Sequence, residues 1–145
     1  MAQPPPQPPA YPTYLDSIGK TPLVRIDRML PEAAKHATVL VKLEMQNPGG
    51  SIKDRIALQM IESAEKAGLL KPGMTVVEAT SGNTGIGIAM VCAAKGYACI
   101  IIMPQVPAML ERVMIIRQFG GEVRLTAPGF GIKGSLEHYE AILAS

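Results

Sequence analysis

The chain has 145 residues, 48% of them hydrophobic but only 4% aromatic, and a formal net charge of +2. That length suits one domain with a substantial core and is too short for two good ones. The near-neutral balance, without a basic run, argues against nucleic acid or an anionic membrane as partner, and the longest apolar run, Ala98 to Met103, is far too short to span a bilayer.

Residues 1–13 are expected to form a disordered, polyproline-like tail, because Met1 to Pro12 is rich in Pro, Gln and Ala. This stretch lacks the basic start and apolar core of a signal peptide and the arginines of a transit peptide. The domain is expected to occupy residues 14–145.

Pro22 to Ile26 is a short strand candidate and Thr38 to Leu43 a stronger one. Asn47-Pro48-Gly49-Gly50 breaks the chain before a helix expected from Ser51 to about Ala67, whose Ile52, Ile56, Met60 and Ala64 recur at intervals of four on one face. Gly68 ends it and Lys71-Pro72-Gly73 turns the chain. There follow an expected strand Thr75–Ala79, helix Asn83–Lys95, strand Ala98–Met103, helix Ala108–Phe119 and strand Glu122–Thr126, then a last helix from near Gly134. Such alternation predicts an α/β fold: an open, mostly parallel, Rossmann-like three-layer sheet with helices on both faces. Ligands in such sheets bind at the carboxyl ends of strands, where Ser81–Gly85 falls.

Cys92 and Cys99 lie in apolar segments without Cys-x-x-Cys spacing. They are expected to be buried, reduced thiols, which points to a reducing compartment and a cytoplasmic protein. His36 and His138 have no metal-like spacing around them and are expected at the surface, as are Glu62 and Glu65 among lysines on one helix.

Two motifs carry chemistry. In Ser51-Ile52-Lys53-Asp54-Arg55, a serine followed three residues later by an acid is a capping-box-like helix start, with Ser51 as the cap. Lys53 then falls in the first turn, where the helix dipole disfavours an ammonium and favours the free amine that attacks an aldehyde. Asp54 partly opposes this. By itself the pentapeptide reads more simply as a surface lysine beside two solvated charges. In Thr80-Ser81-Gly82-Asn83-Thr84-Gly85, glycines allow close approach and a helix start offers amides to an anion such as a carboxylate or phosphate. The segment matches neither a Walker A loop nor the dinucleotide fingerprint, and small polar residues often join strand to helix without binding anything.

Together the two motifs resemble the lysine segment and the asparagine loop of the tryptophan-synthase-β-like (fold-type II) pyridoxal-phosphate enzymes, and most closely those of cysteine synthases. The opening Ile18-Gly19-Lys20-Thr21-Pro22-Leu23 and the words Lys95-Gly96-Tyr97, Met103-Pro104, Leu110-Glu111-Arg112 and Gly131-Ile132-Lys133-Gly134 agree, over roughly Tyr14 to Ile142. The resemblance implies that Lys53 holds pyridoxal 5'-phosphate as a Schiff base and acts as catalytic base. It implies that Asn83 contacts the cofactor, and that Thr80, Ser81, Gly82 and Thr84 hold the amino-acid substrate. The implied reaction replaces the acetate of O-acetyl-L-serine by sulfide, giving L-cysteine, in an enzyme that is homodimeric at full length. The alternatives are a cystathionine β-synthase-like enzyme, whose lysine segment is nearly the same, and a truncated non-catalytic paralogue that binds a full-length subunit. Gln105 to Met109 is one residue longer than the resemblance implies, which bears on substrate preference or closure. The family's phosphate-holding loop and the serine at its pyridine nitrogen have no counterpart, so the chain is expected to be the N-terminal part of such an enzyme.

Overall fold

The computed structural model describes residues 12–26, 31–32, 36–129 and 131–144. The tail expected over residues 1–13 therefore lies outside the described residues as far as residue 11. Thr13 caps a short 3-10 turn, Tyr14–Ser17: its hydroxyl accepts from the Asp16 amide at 3.3 Å, and the Asp16 carboxylate accepts from the Thr13 amide at 3.0 Å.

Strands β1 (Leu23–Ile26) and β2 (Val39–Lys42) form an antiparallel ribbon, Leu23 opposite Lys42 and Ile26 opposite Val39. Pro22, expected to open the first strand, lies outside it because proline has no amide for a ladder. The main sheet is separate. It consists of β3 (Thr75–Ala79), β4 (Ala98–Pro104) and β5 (Glu122–Thr126), all parallel, in the order β3-β4-β5. The central β4 is an almost unbroken apolar run, which only a strand covered on both faces can carry.

Four helices supply that cover: α1 (Lys53–Lys66), α2 (Asn83–Lys95), α3 (Leu110–Gln118) and α4 (Gly131–Leu143). Helix α2 packs on β4 and is flanked by α1 and α3, so every residue from Gly85 to Cys92 is buried. Ile101 and Met103 belong to the same core as α2. Ile102, equally buried but of opposite parity, faces the layer where α4 packs on β3 and β4. The three layers expected from the β-α alternation are thus present.

Some boundaries differ from expectation. Helix α4 starts at Gly131, three residues early, and α3 starts at Leu110 after a 3-10 turn over Pro107–Met109. Cys92 and Cys99 are free and buried, and a hydrogen bond between them pushes the Cys99 thiol well up while lowering that of Cys92. His36 and His138 are exposed, and the described residues contain no group of three or more His, Cys, Asp or Glu able to hold a metal. Glu65 is not a solvated charge. It accepts from Lys95 Nζ and from the Tyr97 hydroxyl, each at 2.8 Å, tying α1 to the end of α2. No helix among the described residues is long and apolar enough to cross a membrane.

Candidate active site

Lys53 is the first residue of α1, two residues later than the expected start. Ser51 and Ile52 form a tight lead-in, in which the Ser51 carbonyl accepts from the Asp54 amide at 3.3 Å and the Ile52 carbonyl from the Arg55 amide at 3.2 Å. Ser51 still satisfies a helix-start donor, because its hydroxyl accepts from the Lys53 amide at 3.1 Å. Lys53 is half-buried, and its amine makes no hydrogen bond or ion pair among the described residues.

Neither of the two charges after it is a free surface charge. Asp54 is 0% exposed. One of its oxygens accepts from the Gly49 amide at 2.6 Å, and the other, Oδ1, is buried without a partner. Burial pushes its carboxyl above the ordinary range; the amides of Gly49 and Ser51 partly offset this, and the charge of Glu44 adds to the rise. A Cβ on Gly49 would stand 2.5 Å from Asp54 Oδ1, so any larger residue there would have to displace the carboxylate. Arg55 meets Glu44 with both arms of its guanidinium, each at 2.8 Å, and this pair holds the Glu44 carboxyl down to about 2. Its Nη2 also donates to the Gly19 carbonyl at 3.1 Å and to the Thr21 hydroxyl at 3.3 Å.

The preceding turn is tied into the same network. Asn47 donates to the Glu44 carbonyl and carboxylate, both at 2.9 Å, and accepts from the Gly19 amide at 2.8 Å. The Tyr14 hydroxyl donates to the Pro48 carbonyl at 2.7 Å. Thr21 donates to Glu44 at 2.9 Å, and Lys42 Nζ donates to the Thr21 carbonyl. Sequence reasoning did not find Glu44, Asn47 or Tyr14 as supports of the lysine. Asn47 stood within a recognised turn, but Glu44 carries no local signal at all.

Thr80 leaves β3 with its amide still bonded to the Ile102 carbonyl at 3.0 Å. Its hydroxyl accepts from the Gly82 amide at 3.3 Å, which folds the turn back on itself. Gly82 precedes α2, no side chain caps that helix, and a Cβ on Gly82 would meet nothing within 4 Å. The amides of Asn83 and Thr84 at the start of α2 thus have no side-chain cap, while the Gly85 amide donates to the Gly82 carbonyl at 3.2 Å. Asn83 is exposed; Ser81, Gly82 and Thr84 are half-buried.

What joins the two motifs is Gly87, one turn into α2. A Cβ there would lie 3.1 Å from both the Lys53 carbonyl oxygen and the Ala57 Cβ. The absence of a side chain lets α1 approach α2 closely, which sets the lysine-bearing first turn beside the N-terminal end of α2. Lys53 and the Thr80–Thr84 turn, 27 residues apart at their nearest in the sequence, thereby come to adjacent helix ends. The apolar hollow of about 510 Å³ lined by Pro104, Val106, Pro107, Met109 and Leu110 shares no lining residue with either motif.

Residues 14–145 match the family described as pyridoxal-phosphate dependent enzyme. The chain is 53% identical over 116 residues to a cystathionine beta-synthase of Rattus norvegicus, a match covering 80% of this chain and 20% of that protein. It is 52% identical over 120 residues to a cysteine synthase of Staphylococcus aureus, covering 83% of this chain and 38% of the relative. The crystal structure of an O-ureido-L-serine synthase superposes with a TM-score of 0.85 at 46% identity, over 94% of this chain and 42% of that one. The chain thus spans from a fifth to about two-fifths of the length of these relatives.

Proposed function

We propose that this chain, which belongs to the pyridoxal-phosphate-dependent enzyme family, carries the cofactor lysine and the carboxylate-binding turn of a cysteine synthase, which replaces the acetate of O-acetyl-L-serine by sulfide. The observation that carries this reading is the close approach at Gly87, which sets the unpaired Lys53 beside the uncapped start of α2.

The residues present suit the cofactor. An amine without a counter-ion among the described residues is available to an aldehyde, and the open side of Gly82 gives a planar ring or a carboxylate access to main-chain amides. Lys53 would hold the cofactor and Asn83 its ring hydroxyl, while Thr80, Ser81, Gly82 and Thr84 would hold the amino acid. When bound, pyridoxal phosphate supplies the aldehyde that lysine attacks and a ring that accepts electrons. The Thr80–Thr84 turn binds the carboxylate and so fixes the substrate Cα. Once the substrate's own amine had displaced it from the cofactor, the freed Lys53 amine would take the Cα proton as general base, acetate would leave from Cβ, and sulfide would add there. Two buried free thiols suit a reducing compartment such as the cytoplasm.

The identity to a cystathionine beta-synthase supports a second reading, with homocysteine as the nucleophile. Assays with O-acetyl-L-serine or serine, offered sulfide or homocysteine, separate the two. Cysteine formed from O-acetyl-L-serine and sulfide, and reduced roughly 10²–10⁴-fold in Lys53→Ala, is the expected result. Unimpaired turnover in Lys53→Ala would remove the lysine assignment.

A further inference from the structure

We propose that Arg55 is a positioning residue for Lys53, holding the first turn of α1 in the pose that captures the cofactor. The inference rests on the assignment of Lys53 made above, and its basis is the way the lysine's main chain is wedged. On one side Gly87 admits the Lys53 carbonyl to within 3.1 Å of where a Cβ would stand. On the other, the Arg55 guanidinium reaches away from α1 to three groups: the Glu44 carboxylate, the Gly19 carbonyl and the Thr21 hydroxyl. These lie 11, 36 and 34 residues away in sequence, so a single side chain staples the lysine-bearing turn to both segments that flank the β1–β2 ribbon.

The fit is close. A Cβ on Gly19 would stand 2.7 Å from Arg55 Nη1, so the guanidinium occupies space left by the missing side chain. Asp54 adds a second tether through the Gly49 amide. The division of labour has a chemical consequence. Glu44 is occupied by Arg55, Asp54 is turned inward to the Gly49 turn, and the Lys53 amine makes no ion pair among the described residues although Asp54 follows it in sequence. A lysine at the opening of a helix, with its main chain fixed and its amine unpaired, has little left to order before it attacks an aldehyde. Lysine at position 55 would keep the charge but lose the two-armed grip.

The test uses the 145-residue chain, pyridoxal phosphate and borohydride, with peptide mapping of the fixed pyridoxyl label. The readout is the ratio of label on Lys53 to label on the exposed Lys71 and Lys133, taken at limiting cofactor and alongside circular dichroism. The wild-type chain should be labelled selectively at Lys53. Arg55→Ala should lower the ratio roughly tenfold with the fold retained, and Arg55→Lys should fall between. The double variant Arg55→Ala/Glu44→Gln should be no worse than Arg55→Ala, because the two side chains act as one unit. An unchanged ratio in folded Arg55→Ala overturns the proposal; if that variant does not fold, an unchanged ratio in Glu44→Gln does so. A wild-type chain without selectivity for Lys53 would instead overturn the lysine assignment, and the positioning role with it.

Discussion

Glu44 and Asp54 support the same turn but respond to pH in opposite senses. Arg55 holds the Glu44 carboxyl down to about 2 from an ordinary 4.5. Its contribution to stability is therefore present above pH 4.5 and is lost as pH falls toward 2. Asp54 is raised by burial, so its charged form burdens the fold above its raised value, and that burden lifts as pH falls through it. Urea midpoints followed from pH 7 to pH 2.5 should show a shallower acid limb in Glu44→Gln and a steeper net loss in Asp54→Asn. An acid limb unchanged in Glu44→Gln would contradict the pairing. At Gly49 the limit is steric: alanine would place a carbon 2.5 Å from Asp54 Oδ1. Gly49→Ala should cost about 1–3 kcal/mol in urea denaturation; a cost near zero would mean that the Asp54 tether does not hold the turn closed.

Between elements, the contact that matters most is α1 against α2. Gly87→Ala places a methyl 3.1 Å from the Lys53 carbonyl and from Ala57 Cβ, so the first turn of α1 must give slightly at the lysine. It should destabilise the chain by about 1–3 kcal/mol and weaken pyridoxal-phosphate binding measured at a temperature where the variant is still folded. Unaltered cofactor binding would mean that the approach of the helices does not govern the site. The start of α2 and the course of β4 were legible in the sequence, because a glycine turn after an apolar strand and the six-residue apolar run Ala98 to Met103 leave few alternatives. The start of α1 was read two residues early: Ser51 does cap the Lys53 amide, but the turn it opens is tighter than a helix. Glu44 escaped notice because its partner lies across a turn, and pairing at that range has no periodic signature. Arg55 belongs to the lysine motif, yet nothing local in the sequence shows that it reaches Gly19 and Thr21.

At the scale of the molecule, two bodies of unequal strength are joined. The β3–β5 sheet has a closed apolar core with Val91, Cys92, Ile101 and Ile116 at 0% exposure. The β1–β2 ribbon has only two strands, and its Leu23, Val24, Leu40 and Val41 remain exposed. Two-stranded ribbons are marginal unless covered. Hydrogen exchange should find α2 and β4 strongly protected and the β1–β2 amides exchanging close to the unprotected rate. Uniform protection across the ribbon and the main sheet would contradict this difference in strength. The three-layer sheet was legible from the β-α alternation, whereas the detachment of the ribbon was not, because strand pairing between distant segments leaves no mark on local pattern.

The central claim is that Lys53, at the opening of α1, is the group that takes pyridoxal phosphate. Its most direct test is the visible spectrum of the chain as pyridoxal phosphate is titrated in, recorded beside Lys53→Ala with circular dichroism on both. A saturable absorbance band that disappears in the folded Lys53→Ala variant is the predicted result. No band from a folded wild-type chain, or the same band in Lys53→Ala, would contradict it.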